Sequence, residues 1–213
     1  MPKLYLLGGE NVHKRSAKPV NQAAFEEAGK KPRVLVFPWA RASFDNGYRK
    51  HKILEDYFLS LGAGSVGFME YGQTDGIAEK LANAELVYLT GGQPSILLER
   101  VEKMGLDDLL KTYEGVVVGR SAGALALCSR LITTCRSNSK LRVINGFGLV
   151  DITLKAHYTP EKDEALKRFS LKETIYAVPK DSSLVYDNGE FSSIGCVYVF
   201  NGGQRHIFKE ERL

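Results

Sequence analysis

The chain is poor in cysteine, in histidine and in long apolar runs. Its three cysteines, Cys128, Cys135 and Cys196, are an odd number, and their spacing fits no zinc motif. That excludes a disulfide framework and suits a reducing, cytoplasmic setting, with most of these thiols acting as small buried hydrophobes. No apolar run approaches the roughly 18 residues of a membrane span. The start, Met1 to Gly8, is too short for a signal peptide and reads as a first strand. Charge of one sign is also scarce. The 29 Lys and Arg against 25 Asp and Glu leave +4, too small an excess to point to nucleic acid. The remaining composition, 44% hydrophobic and 25% charged, is that of an ordinary globular chain, and 213 residues suit one domain over 1–213.

The first half alternates short apolar runs with amphipathic stretches. Leu4–Leu7, Val34–Phe37, Val66–Phe68, Leu86–Leu89 and Val116–Val118 are rich in Val, Leu and aromatics, as strands buried on both faces of a parallel sheet require. Between them, apolar residues at helical spacing predict helices from Tyr48 to Leu61, from Asp75 to Leu81 and from Ser95 to Val101. Asn11–Lys31 reads as a polar loop followed by a short helix near Gln22–Ala28. This order predicts an α/β fold with a doubly wound, mainly parallel sheet flanked by helices, and ligands bind beyond the strand C-termini of such sheets. The C-terminal third differs. Gly146–Leu154 and Thr174–Val178 read as extended, and Asn188-Gly189 between apolar residues predicts a hairpin. Val197–Phe200 and Arg205–Phe208 predict a second one, so antiparallel strands are added there.

The strongest local signal is Gly119-Arg120-Ser121-Ala122-Gly123-Ala124. It follows a strand and precedes the apolar helical run Leu125–Cys128, the strand–turn–helix setting of a G-x-S-x-G nucleophile elbow. The bland alternative is a tight turn whose serine caps the helix. A nucleophilic serine needs a base. Of the four histidines, His13 lies in the polar loop, His51 on a basic helix surface and His206 in the last hairpin. His157 follows an extended run and precedes a helix, which places it at the edge where chemistry belongs. Ala122, just after the serine, supplies one backbone N–H for an oxyanion, and the turn Thr90-Gly91-Gly92-Gln93 is a candidate for the other. Asp151 lies six residues before His157, roughly 20 Å away along a strand, which makes it a poor orienter. Glu161, Asp163 and Asp181 remain open.

These residues resemble peptidase family S51, which includes aspartyl dipeptidase (peptidase E) and, more distantly, cyanophycinase. The resemblance runs from the first strand to about Phe200. It implies a class I glutamine amidotransferase-like, flavodoxin-like fold with Ser121 as nucleophile in G-x-S-A-G-A. His157 in Ala156-His157-Tyr158 is the implied base, and Gly92 with Ala122 the oxyanion donors. Gly91, Gln93 and Lys162 are the implied substrate contacts, Lys162 standing where aspartyl dipeptidase has a basic residue. The family's third member, a Glu in an L-P-E-G-like segment, corresponds to Lys180 in Val178-Pro179-Lys180-Asp181; Asp181, one place on, is the acid expected to serve instead. The expected function is serine-type hydrolysis of a small peptide or peptide-like amide, of the Asp-X dipeptidase type. No metal or organic cofactor, nucleic acid or membrane partner is expected, and a homodimer is compatible. The rival reading is a weak or inactive member that binds a small ligand at the same edge.

Overall fold

The structure, a computed structural model, describes residues 1–41, 49–72, 75–134 and 141–208. Tyr48, the expected start of one helix, and Cys135 lie outside the described residues. The first half runs β1 (Lys3–Leu7), α1 (Lys18–Glu27), β2 (Arg33–Phe37), α2 (Arg49–Ser60), β3 (Ser65–Phe68), α3 (Ile77–Ala82), β4 (Leu86–Leu89), α4 (Pro94–Lys103), α5 (Leu106–Thr112), β5 (Val116–Arg120) and α6 (Ala122–Leu127). The second half runs β6 (Cys128–Thr134), β7 (Leu141–Asn145), β8 (Val150–Ala156), α7 (Asp163–Phe169), β9 (Ile175–Val178), β10 (Ser183–Asp187), β11 (Glu190–Ile194), β12 (Tyr198–Asn201) and β13 (Gln204–Ile207). The chain is thus an α/β protein with two mixed sheets and flanking helices.

The first sheet has the order β11-β10-β1-β5-β4-β2-β3. Its five strands from β1 to β3 are parallel, and β10 pairs antiparallel with β1, Leu4 facing Tyr186. β4 and β5 are buried along their whole length because helices cover both faces. One face packs Val20, Phe25, Leu54, Tyr57 and Phe58 of α1 and α2. The other packs Leu97, Val101 and Leu110 of α4 and α5, together with α6. At Asn188 and Gly189 both φ angles are positive (47° and 97°), the geometry a two-residue hairpin turn needs, and β10 and β11 close as expected.

The second sheet, of order β13-β12-β9-β8-β6-β7, was legible only in part. β6 was not foreseen: α6 ends at Leu127, and the backbone turns extended at Cys128 with no glycine or proline to mark it. The expected extended run Gly146–Leu154 begins four residues late, because Gly148 takes φ +70° in the loop between β7 and β8. α1 starts at Lys18 rather than near Gln22, with Pro19 in its first turn where the missing N–H costs nothing. Of the two described cysteines, Cys128 is buried and Cys196 is exposed in the loop before β12. No helix among the described residues is long and apolar enough to cross a membrane.

Candidate functional site

The two sheets meet at the C-terminal edge of β1, β5 and β8. The Ser121 N–H, just past β5, donates to Leu7 O at 2.8 Å, and Ser121 O accepts the first helical bond of α6 from Leu125. Between these two ties Ser121 is held at φ 52°, ψ −103°, a conformation rare for a residue with a side chain and characteristic of a strained elbow. His157 leaves β8 with φ 52°, and its N–H donates to Gly8 O at 3.0 Å. The residue after β8 is thereby stitched to the residue after β1. The result is one short contact across the sheets: Ser121 Oγ lies 2.6 Å from His157 Nε2.

The imidazole keeps an edge open to solvent, yet it is held neutral. Partial burial, then the charges of Lys180, Lys155 and Arg120, push its pKa down to about 4. A neutral ring can accept a proton from the hydroxyl it touches. Gly9 lies flat against that ring. A Cβ there would stand 2.4 Å from Cε1 and 2.7 Å from Nδ1 of His157, so only glycine leaves the imidazole its place.

Asp181 is not brought onto the imidazole. Its N–H is tied to Gly9 O at 2.8 Å, its φ is +63°, and its carboxylate accepts from Ser16 Oγ at 2.5 Å. Among the described residues no acid hydrogen-bonds His157. Instead of orienting the imidazole as expected, Asp181 anchors the loop of Ser16 at the cavity wall. Glu161 is exposed, and Asp163 accepts from Tyr158 and Arg205.

The pair stands between two cavities. One, of about 570 Å³, is lined by Glu10, His13, Arg41, Gly91, Gly92, Arg120 and Asp181. The other, of about 410 Å³, is lined by Gln93, Thr133, Lys155 and Lys162. Gly92, Ser121 and His157 border both. Gly91 packs on the serine, since a Cβ there would meet Ser121 Cβ at 3.3 Å; at Gly92 one would meet Ala40 O at 2.1 Å, which keeps that turn pressed onto the chain after β2. The Ala122 N–H is the first of α6 and has no acceptor within the helix. Gly91, Gly92, Gln93, Ala122 and Lys162 thus all gather around Ser121.

Three charged residues at the site had not been singled out. Lys155, near the end of β8, is buried and lines the smaller cavity with His157; burial and the Lys162 charge lower its ammonium to about 8, and it donates to Ala156 O. Glu10 has its carboxyl raised above the usual range by burial, while Asn21 and Tyr88 donate to it. Arg120, inside the serine motif itself, is buried. The remaining histidines are engaged elsewhere or exposed: His51 stacks on Phe68 and meets Glu70, and His206 lies on β13. Among the described residues no group of three or more His, Cys, Asp or Glu could hold a metal ion.

The model of peptidase family S51 matches residues 4–194. No curated protein matches the chain. Among solved structures, a peptidase from an acI-B1 actinobacterium is similar over 100% of this chain and 96% of its own, with a TM-score of 0.73 and 19% identity. A candidate peptidase E protein from Listeria monocytogenes EGD-e is similar over 91% of this chain and 98% of its own, with a TM-score of 0.68 and 19% identity.

Proposed function

Because the chain belongs to peptidase family S51, we propose that it is a serine-type peptidase that hydrolyses a short peptide through Ser121 and His157. The observation that carries this reading is the 2.6 Å contact between Ser121 Oγ and a neutral His157 Nε2 at a strained elbow. His157 takes the hydroxyl proton as Oγ attacks the scissile carbonyl. The N–H groups of Gly92 and Ala122 receive the oxyanion. His157 then gives its proton to the leaving amine. Water, activated by the same ring, hydrolyses the acyl-enzyme and restores the serine. Two modest cavities on either side of the pair suit one residue each, which favours a dipeptide. An Asp-X preference fits the cationic lining that Lys155 and Lys162 supply.

The test is intact mass after incubation with a fluorophosphonate. One adduct on the folded wild-type protein, mapped to Ser121, is the expected result. No adduct would overturn the reading in favour of a member that only binds a small ligand there.

The surrounding cations set the pH range. With His157 at about 4, the base stays unprotonated well below the ordinary histidine value of about 6.5. We expect kcat/KM at pH 5.5 to stay within about twofold of its value at pH 7, where an unshifted histidine would lose about tenfold. Lys180→Glu replaces a repelling charge by an attracting one and should move the acid limb upward. A limb near 6.5 in the wild type would contradict the charge argument.

A further inference from the structure

Arg120 is the one charged side chain of the serine motif, and the mechanism does not use it. It is 6% exposed, and its guanidinium makes no hydrogen bond or ion pair among the described residues. It sits above Val116 and Val118 on the same face of β5, as alternation along a strand requires. There its Cζ lies 5.9 Å from the Tyr88 ring centroid, and its Nε lies beside Gly91. It forms part of the wall of the larger cavity, together with Ser121, His157 and Glu10. Glu10 is the nearby counter-charge, but its two oxygens accept from Asn21 and Tyr88 instead. With no protein acceptor among the described residues, its N–H donors open onto the cavity, where a planar anion can meet them.

We propose that Arg120 is a specificity-determining residue that takes a carboxylate of the peptide substrate. This deepens the peptidase reading and rests on it. The planar fork of Arg matches a carboxylate with two parallel hydrogen bonds. Arg120 and Ser121 are adjacent in the chain, with Cα atoms about 3.8 Å apart. Because Arg120, Ser121 and His157 also line one cavity, a carboxylate held there belongs to a residue close to the scissile bond. Two sources share that chemistry: an acidic side chain, and the free terminus of a dipeptide. Arg41, Lys14 and Lys180 at the rim of the same cavity add positive charge along the way in.

The experiment uses six peptides: Asp-Leu, Leu-Asp, Leu-Leu and the C-terminal amide of each. Leu-Leu-amide carries no carboxylate and is the reference. Turnover is measured with the wild type, Arg120→Gln and Arg120→Lys, and binding by calorimetry in the Ser121→Ala background. In the wild type, the peptide with the recognised carboxylate should exceed the reference by about 30-fold, the range of a charge-assisted pair. Arg120→Gln should reduce that ratio to below about threefold, and Arg120→Lys should keep part of it. Loss on amidation identifies the terminus; persistence on amidation with a need for Asp identifies the side chain. Melting temperatures confirm that each variant is folded, and Arg120→Lys preserves the buried charge should the Gln variant fail. The proposal is overturned if the wild type ignores every carboxylate, or if Arg120→Gln weakens all six peptides alike. It is overturned equally if the preference survives in Arg120→Gln. Peptides that bind in the expected pattern but are never cleaved would sink the peptidase reading and keep the assignment of Arg120; cleavage without the pattern would do the reverse.

Discussion

Ser121→Ala should abolish fluorophosphonate labelling and lower peptide turnover at least about 10³-fold, with His157→Ala close behind. The reason is the single contact between Oγ and Nε2. Each partner is useless alone: an unassisted hydroxyl is a poor nucleophile, and an imidazole without the hydroxyl has no proton to take. The two losses should therefore not add. The double variant Ser121→Ala/His157→Ala is expected to match Ser121→Ala, as for groups that act as a unit. Labelling that persists in Ser121→Ala would mean another residue is the nucleophile. Because Asp181 bonds Ser16 rather than His157, Asp181→Asn should cost less than about tenfold, far below the loss seen when an acid that orients the imidazole is changed.

The second large effect needs no change in any reacting group. Gly9→Ala should lower kcat/KM by about 10²-fold or more, the range that a properly placed general base contributes. Its φ of +149° suits glycine, and the added methyl would stand 2.4 Å from His157 Cε1. The ring is the more movable party, because no acid among the described residues pins its Nδ1. It should swing out, taking Nε2 from Ser121. The measurement is the rate of fluorophosphonate labelling beside the melting temperature. Slow labelling in a protein that melts within a few degrees of wild type is the expected pair of results. Labelling at the wild-type rate would show that the imidazole tolerates the intrusion.

What the sequence revealed follows from what leaves a local trace. β1, β2, β4 and β5 were legible because each is short, apolar on both faces and ends at a turn residue. The hairpin at Asn188-Gly189 was legible because its backbone conformation demands those two residues. β6 was not, since a buried helix and a buried strand that follow each other without punctuation look alike. The motif around Ser121 and the place of His157 were readable from chain order. The partner of Asp181 was not, because Ser16 lies 165 residues away and only the fold brings them together. Arg120 was visible as a letter in the motif, but its place in the cavity wall, without a protein acceptor among the described residues, is a property of packing.

The way the sheets are joined has a consequence for synthesis. Ser121 follows β5, but β1 gains its second neighbour only when β10 arrives, and Gly8 and Gly9 are fixed by Ser182 and Asp181. His157 hangs on Gly8. On the proposed reading, a growing chain carries its nucleophile long before it can hold its base in place, and is expected to gain activity only once the segment around Asp181 and Ser182 has folded back onto the turn after the first strand.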